Sequence, residues 1–180
     1  INPSYSFRSD YGSFNTFKVM SKASTGLINS KFVTTLRLSS ILSDGYIQRS
    51  GSNLKGLQIT SKYIFNQHTQ LVFNYMKGKE RTGQAWNGVS QDSLKLNRTF
   101  NELGIKSDGT FYNNQTDNYG QDYYQLFFDK KLNSKVSLGS TLFYTKGKGY
   151  YEEYKIQQSY NNYHLPDVVI RSEEHTSELQ

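Results

Sequence analysis

The chain has 180 residues, long enough for one domain, yet only 35% are apolar while 15% are aromatic: fifteen Tyr, eleven Phe and one Trp. Such aromatic content argues against simple disorder; no run of about 18 apolar residues exists, so no transmembrane helix is expected. Zero Cys excludes disulfide frameworks and thiol chemistry, and the net charge of +6 comes from Lys and Arg scattered along the chain, nearly all singly, without the basic stripe that nucleic-acid binding needs.

The chain begins at Ile1, with neither an initiator Met nor a secretory signal, and residues 1–13 are read as the remnant of a preceding extracellular loop. Residues 14–148 carry six segments of period-two alternation, which predicts strands with one apolar face. Phe17, Val19 and Ala23 oppose Lys18, Lys22 and Ser24 in the first. The second sets Phe32, Leu36, Leu38 and Leu42 against Thr35, Arg37 and Ser39. In the third, Leu57, Ile59, Tyr63 and Phe65 oppose Gln58, Thr60 and Lys62. Leu71, Phe73 and Tyr75 face away from Gln70 and Asn74 in the fourth. The fifth opposes Tyr124, Leu126 and Phe128 to Tyr123, Gln125 and Asp129. The sixth opposes Val136, Leu138, Leu142 and Tyr144 to Ser137, Thr141 and Thr145. Val33, Ile64, Val72, Phe127 and Phe143 break the pattern by falling on the polar side.

Short links at Gly26–Lys31, Asn66–Thr69 and Leu132–Lys135 alternate with long ones at Ser43–Lys55 and Gly83–Gly120. Short turns at one end and long loops at the other are the pattern of an outer-membrane β-barrel, and strands of about ten residues suffice to cross when tilted. Tyr46, Tyr75, Trp86, Tyr123, Tyr124, Tyr150, Tyr151 and Tyr154 cluster where strands meet long loops. Amphipathic rings of this kind favour the headgroup region, although cross-strand packing would use them too. About six strands cannot close a barrel, since the smallest need about eight, and open edges in lipid leave backbone groups unpaired. The fold expected is therefore all-β, with about six antiparallel up-and-down strands forming an incomplete segment of a larger barrel. On this reading Leu36, Leu38, Leu57, Ile59, Phe73, Leu126 and Leu138 face lipid, and Arg37, Lys62, Asn74 and Gln125 face the lumen.

Several stretches resemble TonB-dependent outer-membrane receptors, particularly those of Bacteroidota. They are 38–47 (LSSILSDGYI), 78–89 (GKERTGQAWNGV), 97–104 (NRTFNELG), 115–119 (QTDNY), 121–126 (QDYYQL) and 147–154 (GKGYYEEY). The likeness covers about residues 10–155 and rests on the combination rather than on any single motif. It implies a 22-stranded barrel closed by an N-terminal plug, active uptake of a nutrient such as a glycan or metal chelate, and TonB engaged through that plug. Plug, TonB box and C-terminal assembly signal are absent from these 180 residues, so the chain alone is expected to transport nothing. Outer-membrane lipid and the nutrient are the expected partners. Residues 149–170 are read as a truncated extracellular loop. Residues 171–180, Arg171 to Gln180, resemble the in-frame translation of a sequencing adapter and are excluded from fold reasoning.

Catalysis, metal binding and cofactors find no support. His68 falls in a short turn, His164 in a distal loop and His175 in the adapter-like tail, without metal-ligand spacing. Asp117, Asp122, Glu152 and Glu153 are read as solvated charges near loops, not as a glycosidase pair. Asn97-Arg98-Thr99 and Asn114-Gln115-Thr116 fit the glycosylation pattern, which matters only in a secreted eukaryotic chain. A loop as long as Gly83–Gly120 is usually functional or disordered, so if this chain contributes to ligand recognition Trp86, Tyr112 and Tyr119 are the expected contacts. The other reading is a loop that packs against neighbouring extracellular loops or seals the barrel mouth. A soluble or cell-surface β-domain that binds glycans through such aromatics is the alternative.

Overall fold

The computed structural model describes residues 2–156 and 158–166. The adapter-like tail 171–180, with His175, lies outside the described residues, as does the end of the segment read as a truncated loop. Seven strands form one antiparallel sheet in chain order. They are β1 (Ser4–Gly12), β2 (Thr16–Ser24), β3 (Phe32–Ser43), β4 (Ser52–Asn66), β5 (Thr69–Gly83), β6 (Thr116–Lys131) and β7 (Ser137–Glu152). A six-residue helix, α1 (Gln91–Leu96), interrupts the longest loop, and Tyr160–Tyr163 make one 3-10 turn.

The all-β, up-and-down architecture agrees with the alternation, with one strand more than the six expected. β1 occupies the segment read as a loop remnant and pairs with β2 over its whole length. The connection between them is a two-residue turn: Thr16 N–H donates to the Ser13 carbonyl at 3.2 Å, with φ of 58° at Phe14 and 51° at Asn15. Positive φ at both central residues is the type I′ geometry that matches strand twist. The same device recurs at Asn29 and Ser30 between β2 and β3. The strands are also longer than expected. β4 and β5 have 15 residues each, β6 and β7 16 each, because the ladder continues toward the loops past the last apolar alternation.

Register fixes which residues share a face, because directly paired residues point the same way. The seven Leu, Ile and Phe residues expected to face lipid all fall on one face, and Arg37, Lys62, Asn74 and Gln125 all fall on the other. One row on the apolar face runs across the whole sheet: Tyr5, Ala23, Leu36, Ile59, Tyr75, Tyr124, Tyr144. Tyr123 and Tyr151, read with the aromatic girdle, lie on the opposite face from Tyr124 and Tyr150. Sequence neighbours in a strand cannot share a side.

No apolar side chain among the described residues is buried. Leu38 is 48% exposed and Leu142 66%. Among the described residues nothing forms a second layer over the apolar face, whereas a stable domain packs at least two layers.

The apolar residues do not run parallel to the hydrogen-bonded rows. On β1 they lie between Tyr5 and Tyr11. On β7 they lie between Leu138 and Tyr144, after which Lys146 and Lys148 follow. Since Tyr5 and Tyr144 share a row, the row on which the band starts at β1 is the row on which it stops at β7. From β1 to β7 the upper edge of the band drops from the row of Tyr11, Phe17 and Leu42 to the row of Tyr75, Tyr124 and Tyr144, most of it between β3 and β5, a mean of about one residue per strand. With residues spaced about 3.3 Å along a strand and strands about 4.8 Å apart, this corresponds to an angle of about 35°.

Candidate functional site

The three loop-end connections are the turn 13–15 and the loops 44–51 and 84–115. The turn end has connections 25–31, 67–68 and 132–136, so the asymmetry of the two ends rests chiefly on 84–115. All the buried polar side chains lie at the loop end: Gln84, Asn101, Gln115 and Thr116.

Gln84 follows β5 and is 1% exposed. Its Nε2 donates to the backbone carbonyls of Thr116 and Glu152, both at 3.1 Å, while its Oε1 accepts from Gln115 Nε2 at 2.5 Å. The side-chain oxygen of Gln115 accepts from the Tyr154 N–H at 2.8 Å. Asn101 donates to the carbonyls of Gln48 and Gln84, each at 2.8 Å, and its Oδ1 accepts the Leu103 N–H at 3.1 Å. These amides tie the long loop to the 44–51 loop, to β6 and to the end of β7. Their polar atoms are paired, which removes most of the cost of burying them.

Arg49 adds a second tie. Its Nη2 donates to the carbonyls of Asn101 and of Leu103, the latter at 3.0 Å, and the guanidinium lies 3.9 Å over the Phe111 ring. Burial lowers its pKa from the ordinary arginine value, although a guanidinium stays charged at neutral pH. Gly83 is required at the junction, because a Cβ there would overlap the Arg49 carbonyl oxygen. A polar pocket of 220 Å³ lies between Arg49, Arg81, Tyr112, Gln115 and Thr116.

The three expected contact residues are not brought together. Trp86 stands 59% exposed and packs edge-on against Tyr151, with ring centroids 5.7 Å apart. Tyr112 donates its hydroxyl to Glu152 Oε2 at 2.8 Å and packs on Tyr154 at 6.0 Å. That hydrogen bond, helped by burial, raises the Tyr112 pKa above its ordinary value. Tyr119 belongs to β6, not to the loop, and lies across the glycines of β7: a Cβ at Gly149 would sit 2.6 Å from Tyr119 Cδ2. Its ring covers the glycine-rich end of a strand.

Among the carboxylates, Asp122 pairs with Lys77 at 3.1 Å and accepts the Tyr75 hydroxyl at 2.6 Å, while Glu152 holds Tyr112. The Asn97-Arg98-Thr99 pattern is a local turn in which Asn97 Oδ1 accepts from Thr99 N and Oγ1. No group of three or more His, Cys, Asp or Glu among the described residues is placed to hold a metal ion. Gln84, Asn101 and Gln115 escaped the sequence reading because uncharged amides in a loop give no periodic signal, and Arg49 because a single loop cation gives none either. No protein-family model matches the chain, and no curated protein matches it.

Proposed function

We propose that this chain is part of the barrel wall of a TonB-dependent outer-membrane receptor, with residues 84–115 on the extracellular side and a nutrient as its cargo. The observation that carries the membrane-barrel half of this reading is the oblique apolar band. Strands in such barrels tilt by about 35–45°, so a lipid-facing belt must cross the hydrogen-bonded rows at that angle. The belt of a flat sandwich follows its second layer instead. The uncovered apolar face and the unpaired outer edges of β1 and β7 fit the same reading, lipid covering the face and further strands pairing the edges. The receptor half rests on the resemblance in the loop-end segments and on the long, ordered loop. The nutrient is met by Trp86 with Tyr151, the aromatic pair whose Trp ring is left most free.

The test is single-cysteine labelling in the full-length receptor, with one Cys at Leu36 and another at Arg37. A lipid-soluble probe should mark position 36 and a small aqueous maleimide position 37. Equal aqueous labelling at both positions would show a soluble sheet and sink the proposal.

A further inference from the structure

Resting on the barrel reading, the geometry points to a binding site for phosphorylated lipid headgroups on the outward face of β4–β7, just above the apolar band. Tyr75, Tyr124 and Tyr144 form a continuous row there, with ring centroids 4.9 and 6.0 Å apart. Tyrosines favour the border where hydrocarbon gives way to headgroups, and here they divide the apolar side chains from the cations beyond. One step toward the loops the same face carries Lys77, Asp122 and Lys146 in one row. The next row holds Lys55, Lys79, Gly120 and Lys148, and Arg81 follows.

Six cations thus stand against the single carboxylate of Asp122, which is already held by Lys77 at 3.1 Å and by Tyr75. On these four strands the reverse face at the same levels carries Glu80 and Asp117 as its only charges, both acidic. On β4–β7 charge is therefore sorted by face, basic outward and acidic inward, whereas on β1–β3 the reverse face carries Arg8, Lys18, Lys22 and Arg37 beside Asp10. Lys55 and Lys79 are direct cross-strand partners, an arrangement of like charges that destabilises a sheet unless an anion lies between them. Gly120 separates Lys79 from Lys148 and leaves the floor between them open, within a groove of 440 Å³. A phosphate set over Gly120 would meet lysines on both sides while its acyl chains continue down onto Tyr75, Leu126 and Leu142. On β1–β3 the same levels of this face hold Tyr11, Phe17 and Leu42 and no charge, as an oblique band requires.

The experiment uses the full-length receptor, purified in neutral detergent and reconstituted in phosphatidylcholine vesicles with or without phosphatidic acid. Retained lipid is read by native mass spectrometry. The wild type should hold phosphatidic acid in preference to phosphatidylcholine, and raised salt should weaken it. Each lysine near an anionic headgroup layer is worth about five-fold in affinity, so Lys55→Gln, Lys79→Gln and Lys148→Gln together should weaken retention on the order of 100-fold. Lys18→Gln, Lys22→Gln and Arg37→Gln, on the reverse face, should leave it unchanged. Equal retention by both triple variants, or full displacement by inorganic phosphate alone, would overturn the headgroup site. Folding is read separately by heat-dependent gel mobility. A wild type that folds but holds both lipids equally refutes the site and leaves the barrel; one without a heat-sensitive folded band refutes both.

Discussion

The strand belt and the loop cap are stabilised by opposite means. In the belt no apolar side chain is buried, and the large residues of one face are left bare. In the cap the buried side chains are polar, and each finds its partner within the chain. The buried amides of the cap are thus satisfied by its own hydrogen bonds, with Arg49 Nε left unpaired, while the belt depends on something outside the sheet to cover it. The cost of an uncovered apolar face is removed by transfer out of water, at roughly 25 cal/mol per Å². Amide partners need only geometry.

The sharpest test of the contrast places a charge in the belt. On the proposed barrel reading, Leu36→Arg, mid-band on β3, should destabilise the intact protein by about 2–4 kcal/mol, whereas Gln125→Arg on the reverse face should cost much less. Urea unfolding in lipid vesicles measures both; equal costs would remove the difference between the faces.

A smaller effect is expected in the cap. Asn101→Ala removes two donors and one acceptor and strands the carbonyls of Gln48 and Gln84, for about 1–3 kcal/mol. The loss should be local, visible as faster amide exchange across residues 84–115 with the β4–β6 ladder unchanged. Loss of protection throughout the sheet would mean that the belt leans on the cap.

The smallest structural effect belongs to Trp86→Ala. Losing one edge-on aromatic contact costs about 0.5–1.5 kcal/mol, and the fold should survive it. On the proposed receptor reading, uptake of the nutrient should nevertheless fall, while Tyr119→Ala, which uncovers Gly147 and Gly149, should act on stability first. Undiminished uptake by Trp86→Ala would leave the Trp86–Tyr151 pair as packing alone.

Much of the belt was legible in the sequence because a strand exposed to different media on its two sides must alternate, and alternation survives any tertiary arrangement. β1 alternates as well, through Tyr5, Phe7 and Tyr11, but its turn was hidden: Phe14 and Asn15 take the positive φ that Asn-Gly would have announced. The upper halves of β4–β7 were hidden for another reason. There Lys77, Lys79 and Arg81 continue the ladder on the apolar face, so pairing persists after the polarity signal ends.

By itself the sequence determined the fold class, the strand faces and the positions of most turns, since these follow from period two and from local backbone preference. Only the tertiary structure decided the register that lines up Tyr5 with Tyr144, and with it the slant of the apolar band and the gathering of lysines from three strands. It alone also brought Asn101 to Gln84 and Gln115 to Tyr154, 17 and 39 residues apart. Hydrogen bonds between polar groups that distant depend on how the chain returns, and no local property of an amide residue records that path.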